Sequence, residues 1–395
     1  MKEDLTAKGN KTLNLLYVLR NKKWSAPQKT LKIVYKNLVE ARINYGQEVY
    51  ANGNKQELDR LDRVHGKALR ILTRAPKSTS TRAIQVVTGE PPPDIKRSRA
   101  QLHLWARVNA TLDNPTAEAL ELEENIKDSE FKQKQKRKRR GIAKNLAQLR
   151  EALSLDSQMI AKQPNIAAPH LWTNMHLDTR LSQEMQKKVD TLENMQRRAT
   201  THINDLYRQY IKIATDGSKE LGLVGIGVYC KENRAALEID KRISDYTSIT
   251  TAELVAILQA LKVVENRKTD PVTKVVILTD SLAAIQALEA SDPKNKRFDI
   301  IAKIRETYDR LAEMGHFIVI CWTPAHVGVE ENEEADKLAK QGAGRDRIDI
   351  ETKLGSSEMK ALINARVRGI LWTERIILKE ISSRNTISLV FLVFS

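Results

Sequence analysis

Three consecutive segments between residues 211 and 243 have the apolar pattern of β-strands, and this arrangement restricts the fold more than any other feature of the chain. Residues 211–216 alternate apolar and polar side chains, as a half-buried strand does. Residues 224–230 and 236–243 follow after short connections, and Gly217 and Ser218 supply the first turn. Because short connections join neighbouring strands, we predict a three-stranded antiparallel meander.

Helical and strand patterns alternate after the predicted meander. Thr250–Glu253 resembles a capping box that opens a helix, and a continuous apolar run over residues 275–280 indicates a buried strand. The remaining elements are two helices (281–288 and 299–314), a fifth strand (317–322) and a last helix from near Glu330. With the paired helices counted as one connection, the order is βββαβαβα. This order predicts an α/β fold, with a five-stranded mixed sheet flanked by helices.

The rest of the chain has a different pattern of apolar and charged residues. Apolar residues recur at helical spacing before residue 110, and Pro91–Pro93 ends this block because consecutive prolines cannot continue a helix. The next stretch is polar and rich in charge. We therefore predict a mainly helical region (residues 1–113), a basic, charge-rich linker with some helix (114–207), the α/β domain (208–343) and a C-terminal tail (344–395).

The net charge of +16 is unevenly distributed. Residues 211–343 contain 18 Lys and Arg against 21 Asp and Glu, a charge of −3, so the rest of the chain carries +19. Basic flanks suit a nucleic-acid partner and an acidic module suits divalent metal, although unrelated surface chemistry gives the same distribution. The run Lys132–Arg140 fits a nuclear-localisation signal, a nucleic-acid tether or a solvated disordered segment. Lys294, Lys296 and Arg297 fit either a contact to a duplex or an ordinary solvated loop.

Cysteine usage and hydropathy exclude several classes of protein. Cys230 and Cys321 are the two cysteines, which allows neither a disulfide framework nor a Cys-rich zinc site, and both lie in apolar segments typical of core residues. The N-terminus lacks the apolar region of a signal peptide, and the apolar segment 387–394 is too short to span a bilayer. We therefore expect an intracellular protein of the nucleus or cytoplasm, neither secreted nor bound to a membrane.

Four acidic residues stand at places where ligands commonly bind in α/β sheets. Asp216 and Asp280 are predicted at strand ends, Glu253 in the first turn of a helix and Asp336 within the last helix. Carboxylate oxygens are hard ligands that select Mg²⁺ or Mn²⁺, and four together require a cation to offset their repulsion. Each residue alone also has an ordinary explanation, as a turn residue, a capping-box partner or a solvated charge.

The sequence strings around these carboxylates occur in a set order over about 130 residues: Thr215–Ser218, Thr251–Ala256, Leu278–Ser281, Trp322–Gly328 and Asn332–Asp336. Together they resemble type I ribonuclease H, particularly the domain carried by non-LTR (LINE-type) retrotransposon polyproteins. The resemblance implies a ribonuclease H-like fold, which agrees with the predicted order of strands and helices.

The resemblance also implies an activity, which is hydrolysis of the RNA strand of RNA/DNA hybrids with two Mg²⁺ ions, for which Mn²⁺ can substitute. The catalytic metal ligands would be Asp216, Glu253, Asp280 and Asp336, with Asp216 bridging both ions. His326 would assist proton transfer or product release; the alternative is a surface-loop histidine with no role. Gly217 and Ser218 match positions that bind substrate by sensing the 2′-hydroxyls of the RNA strand.

Two positions depart from the family pattern. Leu282 stands where cellular relatives often carry a glutamine that contacts substrate, and Glu331 replaces a glycine before the motif asparagine. The first change is expected to alter sequence preference near the cut, and the second to alter the mobility of the loop or the affinity for metal. Neither change removes a metal ligand.

The N-terminal region resembles the thumb-like segment that follows the polymerase core in the same polyproteins, on the strings Tyr45–Tyr50, Leu69–Thr73, Ser80–Ala83 and Gly89–Pro91. This likeness implies contact with a nucleic-acid duplex, whereas the chain contains no Tyr-x-Asp-Asp string of a polymerase palm. Two other functions stay open. One is a nucleic-acid-binding module of retrotransposon origin that no longer cuts. The other is a DNA-cleaving protein of related fold, which usually lacks the Thr-Pro-Ala-His loop.

Overall fold

The computed structural model describes residues 2–21, 26–125, 141–163, 174–184, 190–231, 236–267, 273–290 and 297–369. The chain divides into two compact units. The helical unit comprises residues 1–109, 114–156 and 360–395, and the sheet unit comprises residues 110–113 and 157–359. The basic run Lys132–Arg140 and the end of the predicted tail from residue 370 lie outside the described residues.

The helical unit confirms the predicted helical N-terminal region, but the prediction that Pro91–Pro93 ends this block is wrong, because a helix begins at Pro93, where the first turn accepts proline. Its helix over residues 55–73 begins after Asn54, whose side chain accepts a hydrogen bond from the amide of Gln56. The apolar side chains of this helix recur on one face and are buried, among them Leu61, Val64, Ala68 and Leu72. The helices are α1 (Lys2–Leu19), α2 (Gln28–Val34), a π-helical turn (Tyr35–Glu40), α3 (Ala41–Ile43), α4 (Gln47–Tyr50), α5 (Lys55–Thr73), α6 (Thr81–Thr88), α7 (Pro93–Asn109), α8 (Pro115–Asn125) and α9 (Ile142–Ala152).

The sheet unit contains a mixed sheet. Its strands are β1 (His176–Asp178), β2 (Ile211–Glu220), β3 (Leu223–Cys230), β4 (Leu237–Ile243), β5 (Lys274–Thr279) and β6 (Phe317–Trp322). They lie in the order β1-β6-β5-β2-β3-β4. β2, β3 and β4 form the predicted antiparallel meander, and the other neighbouring pairs are parallel. The predicted mixed α/β sheet is confirmed, and it carries one strand more than the five predicted.

The additional strand, β1, lies in the region predicted as a linker. It contains only three residues, which pair with residues 319–321 of β6. Three residues show too little of a two-residue period to be recognised from sequence. The structure also groups the chain differently from the four predicted segments, because residues 157–207 and 344–359 belong to the sheet unit.

Helices cover the sheet, and α12 is the most deeply buried of them. These helices are α10 (Arg180–Glu184), α11 (Leu192–Leu206), α12 (Ile249–Asn266), α13 (Leu282–Ala290), α14 (Phe298–Glu313) and α15 (Glu330–Ala343). A further helix, α16 (Ser356–Arg366), follows them in the chain. Apolar residues on several sides of α12, including the consecutive Leu254, Val255 and Ala256, join the same hydrophobic core as the sheet. In the part of the chain that the structure describes, no helix is long and apolar enough to cross a membrane.

α15 lies directly on β3 because two glycines of that strand carry no side chain. A Cβ atom on Gly225 would lie 2.1 Å from the backbone nitrogen of Ala343. A Cβ atom on Gly227 would lie 2.1 Å from the carbonyl oxygen of Ala335. Asp336 directly follows Ala335 in α15. The close contact between the backbones of α15 and β3 therefore fixes the distance of Asp336 from the sheet.

The segment after α15 returns to the sheet. An isolated bridge joins Ile350 to the end of β4. Glu358, near the start of α16, then accepts hydrogen bonds from the amide of Ser248 and the hydroxyl of Thr251, each at 2.6 Å, and from the guanidinium of Arg297 at 2.7 Å. The start of α12 is therefore held by a residue that follows it by about a hundred positions.

Candidate active site

Asp216 lies inside β2 rather than at its end. β2 continues to Glu220 because its last residues stay paired with β3, whereas its parallel pairing with β5 stops at Thr215. The predicted turn at Gly217 and Ser218 is therefore wrong, and the chain turns at residues 221 and 222, which both have positive φ. Asp216 stands where β2 loses its parallel neighbour, a kind of position where ligands bind in α/β sheets.

Glu253 is buried in α12 and does not act as a cap. The helix begins earlier than predicted, because Ser248 is its N-cap residue and the Ser248 hydroxyl accepts a hydrogen bond from the amide of Thr251. The predicted capping box at Thr250–Glu253 is therefore wrong. The Glu253 side chain is only 4% exposed, and its Oε2 atom has no hydrogen-bond partner among the described residues. A buried carboxylate oxygen without a donor fits a cation-binding role.

Asp280 directly follows β5, as the sequence predicted. Its backbone carbonyl accepts a hydrogen bond from the indole Nε1 of Trp322 at 3.0 Å. Trp322 is the last residue of the neighbouring strand β6, so the end of one strand fixes the residue that follows the other. This contact holds the backbone at Asp280 in a defined place.

The carboxylates of Asp216, Glu253 and Asp280 converge. Each offers a ligand oxygen, and these oxygens lie within 4.8 Å of one another. Gly217 permits the convergence, because a Cβ atom there would lie 2.8 Å from the Cβ of Ala252 and 3.0 Å from the backbone nitrogen of Glu253. The absent side chain lets the start of α12 approach β2 closely enough to bring Glu253 beside Asp216.

This convergence perturbs the ionisation of the group. Burial raises the pKa of Asp216 to about 7, and the negative charges of Asp280 and Asp336 contribute to the rise. Burial also raises the pKa of Glu253 well above its ordinary value, again with help from neighbouring carboxylates. Carboxylates this close cannot all be ionised unless a cation offsets their repulsion. Since all the atoms available to bind a metal are carboxylate oxygens, the residues fit Mg²⁺ or Mn²⁺.

Asp336 approaches this group from α15. Its charge contributes to the raised pKa of Asp216, and its Oδ2 atom accepts a hydrogen bond from Lys340 at 2.6 Å. The ligand atoms of Asp336, Glu333 and His326 lie within 4.8 Å of one another. Glu333 and Lys340 were not predicted as part of the site. Their spacing of three and four residues from Asp336, on the same face of a helix, is the signal that could have identified them.

His326 is exposed in the loop between β6 and α15, which we call the histidine loop (residues 323–329). The backbone is left-handed at His326, with φ of 53°, and at Gly328, with φ of 80°. Val327 and Val329 are buried. The two buried valines attach the loop to the domain, whereas the side chain of His326, which precedes them, is exposed to solvent.

Other predicted positions have mixed outcomes. Arg297 is 5% exposed and its guanidinium pairs with Asp299 and Glu358, so it is neither a duplex contact nor part of a solvated loop. Lys294 and Lys296 lie outside the described residues. Cys230 and Cys321 are buried, as predicted.

A further polar cluster surrounds Asp178 at the end of β1. Its carboxylate accepts hydrogen bonds from the guanidinium of Arg180 and from the hydroxyl of Tyr207 at 2.6 Å, and it lies 2.8 Å from Nε2 of His202. Burial alone raises the pKa of Asp178, but the hydrogen bonds from these three side chains outweigh burial and hold that pKa well below its usual range. Because its oxygens are already engaged, Asp178 is a structural anchor that joins β1 to α11.

This part of the chain is similar to one protein family and to several solved structures. Residues 208–344 match the family model described as RNase H. Among solved structures, the RNase H1 of the halophilic archaeon Halobacterium salinarum NRC-1 is 18% identical with a TM-score of 0.27. An RNase H1 isolated from compost by a metagenomic approach is 22% identical with a TM-score of 0.28, and its complex with an RNA/DNA hybrid is 22% identical with a TM-score of 0.27. Each alignment covers 34% of this chain and 96% of the other.

No curated protein matches the chain. The class of domain that the family match indicates is an RNase H domain at residues 208–344.

Proposed function

We propose that the domain at residues 208–344 hydrolyses the RNA strand of RNA/DNA hybrids with two Mg²⁺ ions, which Mn²⁺ can replace. One observation carries the proposal. The carboxylates of Asp216, Glu253 and Asp280 converge, and Glu253 has a buried Oε2 atom without a hydrogen-bond partner among the described residues, in a segment that matches the RNase H family. A group of partly buried, closely spaced carboxylates is costly to a fold unless it holds a cation.

In this proposal Asp216, Glu253, Asp280 and Asp336 hold the two ions. Asp216 would contribute to the binding of both ions, which is supported by the effect of both Asp280 and Asp336 on its pKa. Bound ions would stabilise the charge that develops on the attacking and leaving oxygens of the scissile phosphate. The products are a 3′-hydroxyl and a 5′-phosphate.

The contribution of the protein itself is to hold these carboxylates in place. The indole of Trp322 holds Asp280 through its carbonyl, and the contact of α15 with β3 holds Asp336. Positions fixed before substrate binds need no reorganisation during the reaction, which is where much of the rate enhancement of such sites arises. We assign His326 to proton transfer at the leaving oxygen or to product release, because its imidazole is exposed and lies beside Asp336.

Selectivity for the hybrid is assigned to Gly217 and Ser218, whose backbone follows Asp216 in β2 and so lies next to the scissile position. Contact with the 2′-hydroxyl groups of one strand is the feature that distinguishes RNA from DNA. The excess positive charge outside the domain supplies further contacts to phosphates, and the helical unit binds duplex in the manner that its thumb-like resemblance implies.

The test uses the full chain and an RNA/DNA hybrid labelled at the 5′ end of the RNA, in Mg²⁺, in Mn²⁺ and in EDTA. We expect cleavage of the RNA strand only when a divalent ion is present, and loss of cleavage in Asp216→Asn and Asp280→Asn. The control variant Asp205→Asn makes the same change at an exposed position outside the family match and should cleave normally. Unchanged cleavage in either ligand variant would disprove the assignment.

The same assay separates the proposal from its alternatives. A protein that binds the hybrid but does not cut it in Mg²⁺ or Mn²⁺ would be the binding module that no longer cuts. Cleavage of a matched DNA duplex instead of the hybrid would indicate the DNA-cleaving alternative. The presence of all four carboxylates supports cleavage, because a module that only binds has no need to keep them together.

A further inference from the structure

Helix α11 is part of the catalytic domain although it lies outside the family match. Its buried residues Met195, Ala199 and Ile203 join the same hydrophobic core as the sheet. The family match begins only at residue 208. The chain therefore adds a helix to the domain, and its position relative to the proposed active site decides whether it has a role there.

The added helix is fixed to the strand that leads into the histidine loop. Asp178 of β1 contacts His202 of α11 and Tyr207 just after it. β1 in turn pairs with β6, whose last residue is followed by the histidine loop. Helix and loop are thus attached to the same edge of the sheet.

A side chain of α11 binds the histidine loop directly. The side-chain nitrogen Nε2 of Gln196 donates a hydrogen bond to the carbonyl oxygen of Gly328 at 2.8 Å. A Cβ atom on Gly328 would lie 2.6 Å from the same nitrogen, so the approach of Gln196 depends on this position being glycine. The left-handed backbone of Gly328 also favours glycine there.

Gly328 is held on its other side by a residue of the proposed active site. Its backbone nitrogen donates to Oε1 of Glu333 at 3.3 Å. Glu333 belongs to the group of ligand atoms that includes His326 and Asp336. One peptide segment therefore connects Gln196, outside the family match, to the side chains beside His326.

We infer that Gln196 is a positioning residue for His326, holding the histidine loop so that the imidazole stays beside Asp336. This inference rests on the proposed function. It makes the added segment that contains α11 a determinant of how fast the reaction proceeds, although none of its described residues belongs to the carboxylate group of Asp216, Glu253 and Asp280.

The first test measures hybrid cleavage by the full chain with Gln196→Leu, which removes the donor, and Gln196→Glu, which keeps the shape of the side chain. Gln209→Leu is the matched control, at an exposed position just beyond the same helix. We expect both Gln196 variants to lower kcat by roughly tenfold, because small displacements of a reacting group are costly, with KM for the hybrid unchanged. In a His326→Ala background, Gln196→Leu should cause no further loss. An equal loss in that background would overturn the inference, since it would mean that Gln196 acts through general stability.

The second test does not need activity. Amide hydrogen exchange is measured at residues 326–329, again in the full chain. Gln196→Leu should speed exchange in this loop while the exchange of α12 and β5 stays the same, and Gln209→Leu should change neither. Unchanged exchange in the loop would overturn the inference. If neither the unaltered protein nor any variant cleaves the hybrid, the proposed function fails. The exchange result then decides by itself whether Gln196 positions the loop.

Discussion

Arg297 and Glu358 form a buried ion pair, in which the guanidinium and the carboxylate approach to 2.7 Å and both side chains are 6% exposed. The same carboxylate binds the amide of Ser248 and the hydroxyl of Thr251 at the start of α12. Because α12 carries Glu253, a residue beyond the end of the family match holds the helix that supplies a proposed metal ligand.

Replacing Glu358 by alanine should destabilise the sheet unit substantially. The change removes the Glu358 carboxylate from the buried Arg297, and breaking a buried pair in this way costs about 3 kcal/mol. Urea unfolding followed by circular dichroism measures the difference. Glu351→Ala removes an exposed glutamate from the same segment and should have little effect. Equal stabilities of the two variants would contradict the role given to Glu358.

The pair should also make stability depend on pH in the acid range. Burial alone raises the pKa of Glu358, but the charge of Arg297 and the hydrogen bonds to the carboxylate outweigh it and place that pKa below the ordinary value of 4.5. The stabilisation is therefore fully present above pH 4.5 and is lost as the pH falls through the lower pKa of the folded protein. Urea midpoints between pH 6 and pH 3, chosen to span about 1.5 units on each side of that value, should fall more steeply for the unaltered protein than for Glu358→Gln. Parallel curves would refute this assignment.

Asp216→Asn should stabilise the metal-free protein while removing its response to Mg²⁺. The pKa of Asp216 is about 7 in the folded protein against an ordinary 3.8, so its contribution to stability falls as the pH rises from 3.8 to 7. At pH 8 in EDTA, the asparagine variant should be more stable by on the order of 2 kcal/mol. Mg²⁺ should raise the melting temperature of the unaltered protein but not of the variant. Asp205→Asn serves as the control, and an identical response to Mg²⁺ in all three proteins would exclude Asp216 as a ligand.

Gly227→Ala should disturb the position of Asp336. The added methyl group would collide with the carbonyl oxygen of Ala335, so α15 must move away from β3. Such overpacking costs about 1–3 kcal/mol, and cleavage should fall because Asp336 moves with its helix. Gly344→Ala adds a methyl group 3.5 Å from the nearest atom, at the end of the same helix, and should be tolerated. Normal cleavage by Gly227→Ala would show that the contact between α15 and β3 does not position the site.

The sequence predicts the parts of the site that depend on local pattern. The apolar run of β5 ends at Asp280, and the alternation of β2 leads to Asp216, because burial on a sheet imposes a period on the sequence itself. The sequence predicts the end of β2 too early, because residues after Asp216 stay paired only through β3 and the polar pattern there resembles a turn. The sequence does not reveal the helix start at Ser248, because Thr250 and Glu253 match the same capping pattern two residues later.

Contacts made by distant residues have no such local signal. Glu358 reaches the start of α12 from another helix, and Gln196 reaches Gly328 from a segment that sequence composition marks only as polar. Neither position carries a motif, and both are defined by tertiary packing. Glu333 is the exception, because its helical spacing from Asp336 is visible in the sequence.

The three residues of β1 also affect how the protein behaves in solution. In the sheet order, β1 is the only strand on the outer side of β6 among the described residues. β6 is an apolar strand, Phe317–Trp322, and an uncovered apolar edge is a template for pairing with a second molecule. A fragment cut to the family match at residue 208 would expose that edge along its whole length. Self-association of such a fragment, rather than loss of its carboxylates, is then the first obstacle to studying the domain in isolation.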